Sequence, residues 1–600
     1  VPVLGGETIY HPSYNDNCLV NVAALGIVEE DRIIHSYVPK KAKSEPYVFI
    51  LIGKSTDQTG FGGASFSSAT LDSDDDMKNV GAVQVHDPFL KRVVVEAIKA
   101  MTQELHDQDI EIGFKDLGAG GISCAVSELA AASGFGSEIQ LESVNVAHDG
   151  LPPEVITCSE TQERFCVAVP ETVADRVCEI FNVDFDLPRL YHQAGAAIIG
   201  KVTQDPHFIV YNGKEQVCHL PINVITTEVQ VERNAQSKPI QKHADYEGVP
   251  VSEIASLCQS VLGSPQVISK RYVYRFYDNA VRGDTVIYPG EGDAVAVTPV
   301  EGCPTGLVVS MDSNVYGEVD PYVSGAAAVA EAVRNIVSVG ATPIALTDCL
   351  NYGNPEKPEV FFDFEEGVKG ISDASNALGF IEGEPLPIIS GNVSFYNESS
   401  NGKAVVPSPV ILAVGRLSHY EKGLTMQLQS SDSRLVLIGD RFPEFGGTLI
   451  RQFKEGLNGA APQVRFSEEA RANKVLHSLI QQEKIRSCHD ISTGGLWVTL
   501  CEMVLGERGN ARVGAVLNVP ESLDPFTVFF SENGGYLCEV SSDECEGVVD
   551  SFKNQNVFVS EIGHTQNVLE VTLSKDSSII GSFLASDLEA IWNQRSTLNV

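Results

Sequence analysis

The sequence predicts an α+β, mixed α/β chain built as a tandem duplication of a two-domain unit with pseudo-two-fold symmetry. Its second half repeats its first: Gly5-Gly6 lines up with Gly391-Asn392, and Leu51-Ile52-Gly53-Lys54 with Leu437-Ile438-Gly439-Asp440, both at an offset of 386. Further on, Lys115-Asp116-Leu117-Gly118-Ala119-Gly120-Gly121 answers His489-Asp490-Ile491-Ser492-Thr493-Gly494-Gly495 at 374, and Ser159-Glu160 answers Ser531-Glu532 at 372, the drift that small loop insertions produce. Self-similarity of this length means tandem units that bury their faces against each other. Apolar runs and helical-period segments alternate between glycine-punctuated joints, which indicates mixed α/β or α+β domains. A chain of 600 residues is too long for one core and suits about four domains.

Each element has its own local signature. Residues 1–44 read as the end of a first domain, with Leu19-Val20-Asn21-Val22-Ala23-Ala24-Leu25-Gly26-Ile27-Val28 expected as a buried strand from its apolar run. The second copy has a stretch from about 264 to 389 that nothing in the first copy matches, so the repeat predicts roughly that much chain ahead of Val1. A second domain is expected over 45–228. It opens on the buried strand Tyr47-Val48-Phe49-Ile50-Leu51-Ile52-Gly53 and continues through a glycine-rich loop at 60–65 and an exposed Asp74-Asp75-Asp76. Apolar residues at 90, 93, 94, 97, 98 and 101 then predict an amphipathic helix over 88–104, started by Asp87-Pro88. A second helix is expected over 122–132. Residues 229–263 read as a polar connector, 264–425 as a third domain with an Ala-rich helix over 325–339 closed by Gly340, 430–575 as a fourth, and 576–600 as a tail with a short helix around Trp592.

The net charge of −38, from 80 acidic and 42 basic residues, argues against a nucleic-acid partner, because phosphate neutralisation needs clustered Lys and Arg. It suits a solvated surface and is compatible with magnesium chemistry on polyphosphates. No apolar run approaches the ~20 residues of a membrane span, so no membrane insertion is expected. Thirteen cysteines spread singly indicate buried small residues in a reducing cytosol rather than a zinc or disulfide framework.

Several strings could carry chemistry. Asp116 precedes Leu117-Gly118-Ala119-Gly120-Gly121 and a helix start, an arrangement that can hold a divalent cation while loop N–H groups face a phosphate. The same residues could simply cap a tight turn, and both readings stay open. Thr347-Asp348-Cys349-Leu350-Asn351-Tyr352-Gly353-Asn354-Pro355-Glu356-Lys357-Pro358 comes directly after a buried strand, at the strand end where ligand sites collect, although Gly-Asn-Pro alone would explain a turn. Ser390-Gly391-Asn392-Val393-Ser394 adds side-chain oxygens after another apolar strand. Ser159-Glu160-Thr161-Gln162-Glu163-Arg164 offers acceptors and donors suited to a polar sugar or amide.

Together with Gln84-Val85-His86-Asp87-Pro88-Phe89, these strings occur in an order that resembles phosphoribosylformylglycinamidine synthase, synthetase subunit of the PurL type, from residue 1 to about 570. The resemblance implies a tandem pair of units like aminoimidazole ribonucleotide (AIR) synthase, each with an N-type and a C-type domain. It implies a cytoplasmic ligase of purine biosynthesis that converts formylglycinamide ribonucleotide (FGAR) to the amidine (FGAM). ATP would activate the amide oxygen as a phosphate ester and ammonia would displace it. By motif, Gln84, Glu160, Thr161, Gln162 and Ser394 would bind FGAR, Asp348 and Gly391 would contact ATP, and Asp116 and Asn392 would ligate Mg²⁺.

His86 and Thr161 stand where the family usually has Gly and Ser. The resemblance places the catalytic histidines, an ATP-binding lysine and tyrosine, and further magnesium carboxylates ahead of Val1. It also suggests that the second copy's acidic ligands have been replaced, with Asp312 and Arg334-Asn335 at the matching positions. No Cys sits in a nucleophile-elbow setting, Cys303 included, so ammonia is expected from a separate glutaminase subunit, with a small bridging subunit as a further partner. Two other readings are a related ATP-using enzyme such as AIR synthase or selenophosphate synthase, disfavoured by the covalent duplication, and a non-catalytic nucleotide-binding scaffold.

Overall fold

The computed structural model describes residues 1–63, 85–227, 231–240, 242, 246–399, 401–506 and 511–594. They form two compact units, one of Leu25–Glu232 and one of Val1–Ala24 with Arg233–Val600.

The Leu25–Glu232 unit is one mixed sheet between helical layers. Its strands are β1 (Tyr47–Gly53), β2 (Gly113–Asp116), β3 (Gly136–Gln140), β4 (Arg164–Pro170), β5 (Gly195–Thr203), β6 (His207–Asn212) and β7 (Glu215–Pro221), in the order β2-β4-β1-β5-β3-β6-β7. Strand β1 is apolar throughout because both of its faces are covered. Tyr47, Phe49 and Leu51 pack with Ile122, Val126 and Leu129 on one side, and Val48, Ile50 and Ile52 with Leu90, Val94 and Met101 on the other. The helix expected over 88–104 runs Pro88–Asp107, its start capped by Asp87 Oδ1 accepting from the Leu90 N–H at 2.9 Å. The second helix covers Gly121–Ala131.

The other unit carries two sheets. The first comprises β8 (Thr285–Ile287), β9 (Val295–Val297), β10 (Gly306–Asp312), β11 (Thr342–Asn351), β12 (Ile388–Ser394) and β13 (Ser408–Leu417), ordered β12-β11-β13-β10-β9-β8. Its Ala-rich helix spans Pro321–Ser338, starting earlier than the pattern predicts because Asp320 accepts from the Tyr322 and Val323 N–H groups. Small residues there let helix Pro358–Ala377 approach closely: a Cβ on Gly325 would lie 2.2 Å from the Gly367 carbonyl oxygen, and one on Gly370 2.0 Å from that of Tyr322.

The second sheet comprises β14 (Ser433–Ile438), β15 (Ser487–Asp490), β16 (Gly514–Val519), β17 (Tyr536–Ser541), β18 (Val559–Gln566), β19 (Glu570–Lys575) and β20 (Ser578–Leu584), ordered β15-β17-β14-β18-β16-β19-β20. This order reproduces the β1–β7 sheet strand for strand. The register irregularities coincide as well. One lies between Phe49 and Ile50 in β1 and between Leu435 and Val436 in β14; another lies between Val210 and Tyr211 in β6 and between Leu573 and Ser574 in β19. The duplicated α+β architecture is therefore present in the backbone itself.

Three expectations differ from the structure. Leu19–Val28 is extended coil rather than buried strand, with Val20 and Val22 more than four-fifths exposed. A strand needs a neighbour for its N–H and C=O groups, and none runs alongside it among the described residues. Residues 1–24 group with the 233–600 unit rather than with the segment that begins at Leu25, through bonds such as Val3 N–H to the Asp278 carbonyl at 3.0 Å and Val406 N–H to Ser13 Oγ at 3.0 Å. The connector over 229–263 holds the helix Val251–Leu262, which buries Ile254, Cys258 and Val261. Asp74-Asp75-Asp76 and part of the 60–65 loop lie outside the described residues.

Candidate functional site

In the Leu25–Glu232 unit, Asp116 closes β2 with its side chain exposed. The pairing of Asp116 with Phe165, and the Leu117 N–H bond to the Arg164 carbonyl at 3.3 Å, set it beside the turn 159–164. Gly120 and Gly121 have φ of 76° and 55°, the left-handed region that glycine enters without strain, and a Cβ on Gly121 would lie 2.3 Å from the Ser159 carbonyl oxygen. The loop therefore passes too close to the turn for any larger residue.

The turn is organised by Arg164, which is 2% exposed. Its guanidinium donates to the Thr161 carbonyl at 3.0 Å, to Thr56 Oγ1 at 2.8 Å and to the Ser159 carbonyl. Burial lowers its pKa to about 10. Ser159 Oγ donates to the Asp57 carbonyl at 2.6 Å, and Thr161 Oγ1 to Asp57 Oδ1 at 2.9 Å. Lys54 Nζ lies 3.5 Å from Asp57 Oδ2 and 5.1 Å from the Tyr191 ring centre. Burial pushes the Asp57 carboxyl up, but bonds from Thr59 and Thr161 and the charge of Lys54 hold it below its ordinary value.

Thr161 thus sits inside a polar network with Asp57, which sequence reading did not name, and Lys54, which it named only in aligning the repeat. Glu160 is 5% exposed and Gln162 is half-buried, its Nε2 3.3 Å from the Glu160 carbonyl oxygen. Glu163 adopts φ 58°, a strained conformation for a non-glycine residue of the kind that gathers at functional sites. Gln84 lies outside the described residues, and His86 is exposed.

In the other unit, Asp348 and Gly391 are register partners on the parallel strands β11 and β12, and so are Asn351 and Ser394. A Cβ on Gly391 would lie 2.1 Å from Asp348 Oδ1. Burial raises the Asp348 carboxyl. Strand β12 is an edge, and Gly391 and Asn392 are exposed along it. Asn397 Nδ2 donates to Ser394 Oγ at 3.1 Å and to the Tyr352 carbonyl at 3.1 Å, next to Tyr396 at φ 60°. The later half of the 347–358 string is a tied turn, since Glu398 takes the Asn354 N–H at 2.9 Å and pairs with Lys357 at 2.7 Å. Asp348, Gly391, Asn392 and Ser394 therefore share one sheet edge, while Asp116, Glu160, Thr161 and Gln162 share one strand-and-turn corner.

Sequence reading missed a buried ionic cluster in the unit of Arg233–Val600. His489 Nδ1 is 2.6 Å from Asp293 Oδ1, its Nε2 is 3.0 Å from Glu502 Oε2, and Asp293 Oδ2 accepts the Asp490 N–H at 2.9 Å. Asp293, His489 and Asp490 each offer a ligand atom, all within 4.8 Å of one another. Arg334 lies between Glu469 at 2.7 Å and Asp490 at 3.5 Å. Burial raises Asp490 to about 7 and Asp312 well above the ordinary carboxylate range. Alongside Asp312 and Arg334, the positions at which the resemblance implies replaced ligands, the second copy thus carries further carboxylates, Asp293 and Asp490, joined by the Arg334 guanidinium. The available signal was Asp490 answering Asp116; Asp293 is too remote in sequence to be grouped with it by spacing.

Glu532, which answers Glu160, shows what the buried glutamate does in its own copy. Its Oε1 accepts the Gly494 N–H at 2.8 Å and the Leu449 N–H at 3.0 Å, and its Oε2 the Tyr316 hydroxyl at 2.8 Å. Burial raises its carboxyl to about 7. A second-copy loop that could face phosphate is occupied by its own carboxylate.

Family models match in three places. The C-terminal domain of AIR synthase related protein matches residues 48–212 and again 431–575, and the N-terminal domain matches 291–417. The chain is 39% identical over 599 residues to the phosphoribosylformylglycinamidine synthase subunit PurL of Methanothrix thermoacetophila, covering 99% of this chain and 77% of the relative. The subunit PurL of Thermococcus sibiricus is 32% identical over 602 residues, covering 99% and 79%. Among solved structures, T. maritima PurL complexed with FGAR has a TM-score of 0.60 at 23% identity, covering 90% of this chain and 74% of that one. T. maritima PurL complexed with ATP has a TM-score of 0.58 at 22%, covering 90% and 73%. These structures share the fold.

Proposed function

The chain belongs to the phosphoribosylformylglycinamidine synthase subunit PurL family, and on that premise we propose that it serves the ATP-dependent conversion of FGAR to FGAM, a ligase step of purine biosynthesis. Kinship through both copies, at 39% identity over 99% of the chain, carries this reading.

Geometry supports roles for the two clusters. Asp348 and Gly391, side by side on the strand pair at the sheet edge, contact ATP: the bare glycine leaves room for the Asp348 carboxylate, whose oxygen stands where a Cβ would be. Asp116, at the end of β2, and Asn392, on the edge strand β12, are exposed residues with oxygen donors of the hard kind that suit Mg²⁺, and bound Mg²⁺ would offset phosphate charge. Gln84, Glu160, Gln162 and Ser394 bind the ribonucleotide. Thr161 acts from beneath, since its hydroxyl is bonded to Asp57. Ammonia comes from a separate glutaminase subunit, with a small bridging subunit as a further partner. Thirteen free thiols suit a reducing cytoplasm, and among the described residues no helix is long and apolar enough to cross a membrane.

The test is to follow ADP release and FGAM formation by the full-length protein with FGAR, ATP, Mg²⁺ and ammonium. FGAR-dependent ADP release that tracks ammonia supports the reading. Nucleotide binding with no turnover on ammonium or on glutamine plus the glutaminase favours the scaffold alternative.

A further inference from the structure

In both copies the residue that follows the turn's glutamate is gripped from two sides. In the first copy, Thr161 Oγ1 accepts the Asp57 N–H at 3.1 Å and donates to Asp57 Oδ1 at 2.9 Å. In the second, Asn533 answers Thr161 at the offset of 372. Its Oδ1 accepts the Phe442 N–H at 3.0 Å, and its Nδ2 donates to Glu444 Oε2 at 2.6 Å. Each carboxylate carries its own cation: Lys54 Nζ stands 3.5 Å from Asp57 Oδ2, and Arg465 forks onto Glu444 at 2.7 and 2.9 Å. Threonine, aspartate and lysine in one copy thus do what asparagine, glutamate and arginine do in the other, tying the turn to the loop that leaves β1 or β14. The side chains differ and the arrangement is the same, so what both copies keep is the placement of the turn.

The first-copy grip is the drier and the more heavily bonded. The Lys54 side chain is 4% exposed against 31% for Arg465. Asp57 Oδ1 also takes the Thr59 N–H at 2.9 Å and the Thr59 hydroxyl, while the Asp57 carbonyl takes Ser159 Oγ at 2.6 Å. One carboxylate oxygen gathers three donors, in the charge-assisted kind of bond that is about twice as strong as a neutral one. Thr161 sits between Glu160 and Gln162, so the grip fixes the backbone from which both side chains leave. In the second copy Gln162 is answered by Gly534, which has no side chain to aim.

We propose that Asp57, with Lys54 as its counter-ion, is a positioning residue of the substrate turn: acting through Thr161, it sets where Glu160 and Gln162 meet the ribonucleotide. This inference rests on the reading of that turn as part of the FGAR site. Lys54 is enclosed and the Asp57 oxygen is surrounded by its three donors, so both act on substrate through the turn. Displacing positioning groups by about 1 Å can cost on the order of a hundredfold in rate. The effect is confined to FGAR, because Asp348 and Gly391 belong to the other unit.

Steady-state kinetics of the full-length protein with Mg²⁺ and ammonium, varying FGAR and ATP separately, test this. Asp57→Asn keeps the shape and one acceptor oxygen but loses the charge. Its KM for FGAR should rise about tenfold, the worth of one hydrogen bond to a charged group, with kcat and the KM for ATP within about twofold of the parent. Lys54→Met should raise the FGAR KM in the parent and add little in Asp57→Asn. Thr161→Val added to Asp57→Asn should change the FGAR KM by less than about twofold, since residues that act as one unit are not additive. An unchanged FGAR KM in Asp57→Asn overturns the proposal, as does a fully additive Thr161→Val. So does a fall in kcat alone, which marks a fraction of unfolded enzyme and a merely structural role, or a parallel rise in the KM for ATP. A parent with no FGAR-dependent turnover defeats the functional reading and this inference with it, whereas parent turnover with an indifferent Asp57→Asn defeats this inference only.

Discussion

Asp348 and Gly391 face each other across parallel strands so closely that a Cβ on the glycine would stand 2.1 Å from the Asp348 carboxylate oxygen. The contact is with the end of a flexible side chain, which can swing away. Gly391→Ala should therefore change unfolding free energy by less than about 1 kcal/mol while displacing the carboxylate. ATP affinity measured by calorimetry should fall tenfold or more, and unchanged affinity would remove these two residues from the nucleotide site.

Arg164 is worth more to folding than to binding. Its fork satisfies the Thr161 and Ser159 carbonyls and the Thr56 hydroxyl inside the unit. Arg164→Met strands buried acceptors, which costs on the order of 1–3 kcal/mol. Hydrogen exchange in β1 and β4 should accelerate accordingly. Arg164→Lys should recover little, because an ammonium cannot reproduce the planar fork.

Thr161 offers a cleaner separation. Thr161→Ser keeps the hydroxyl bond to Asp57, and the FGAR dissociation constant should stay within about twofold of the parent, since a bond retained leaves the energy nearly unchanged. Thr161→Val removes the bond and should weaken FGAR binding several-fold. Equal effects of the two would show that volume rather than hydrogen bonding matters there.

Glu532 makes stability depend on pH. Burial raises its folded pKa to about 7 from 4.5, so the folded state holds the extra proton between those values. Its contribution is fully present below about pH 4.5 and is lost as pH rises through 7. In Glu532→Gln the amide oxygen can keep both N–H bonds and the amide nitrogen can donate to Tyr316. Urea denaturation should therefore find the variant about 1–3 kcal/mol more stable than the parent at pH 8.5, and nearly equal at pH 5. A variant less stable at pH 8.5 would show that the carboxylate is needed as an anion.

The sequence revealed the duplication, the helix started by Asp87 and strand β1, because each rests on local pattern: a repeat, a cap, an unbroken apolar run. The strings holding Asp348, Gly391 and Ser394 were legible as neighbours of apolar strands, but both strands run further than the apolar pattern shows, to Asn351 and Ser394, so these residues lie within the paired strands rather than after them. Leu19–Val28 misled because an apolar run announces burial without supplying a neighbour. The joining of Asp57 to Thr161, and of Asp293 to His489 and Asp490, stayed hidden because the partners come from distant segments, and no spacing rule joins residues that meet only after folding.

The register shifts at Phe49/Ile50 and Leu435/Val436 bear on history. An extra residue in one strand flips the inside-outside parity of everything beyond it, so a later loss of it in either copy would have turned a finished core inside out. Its place at corresponding residues of both copies is what inheritance from one common unit would leave. Since then the descendants have been free to exchange side chains, serine for tryptophan at 123 and 497, but not to renumber a strand.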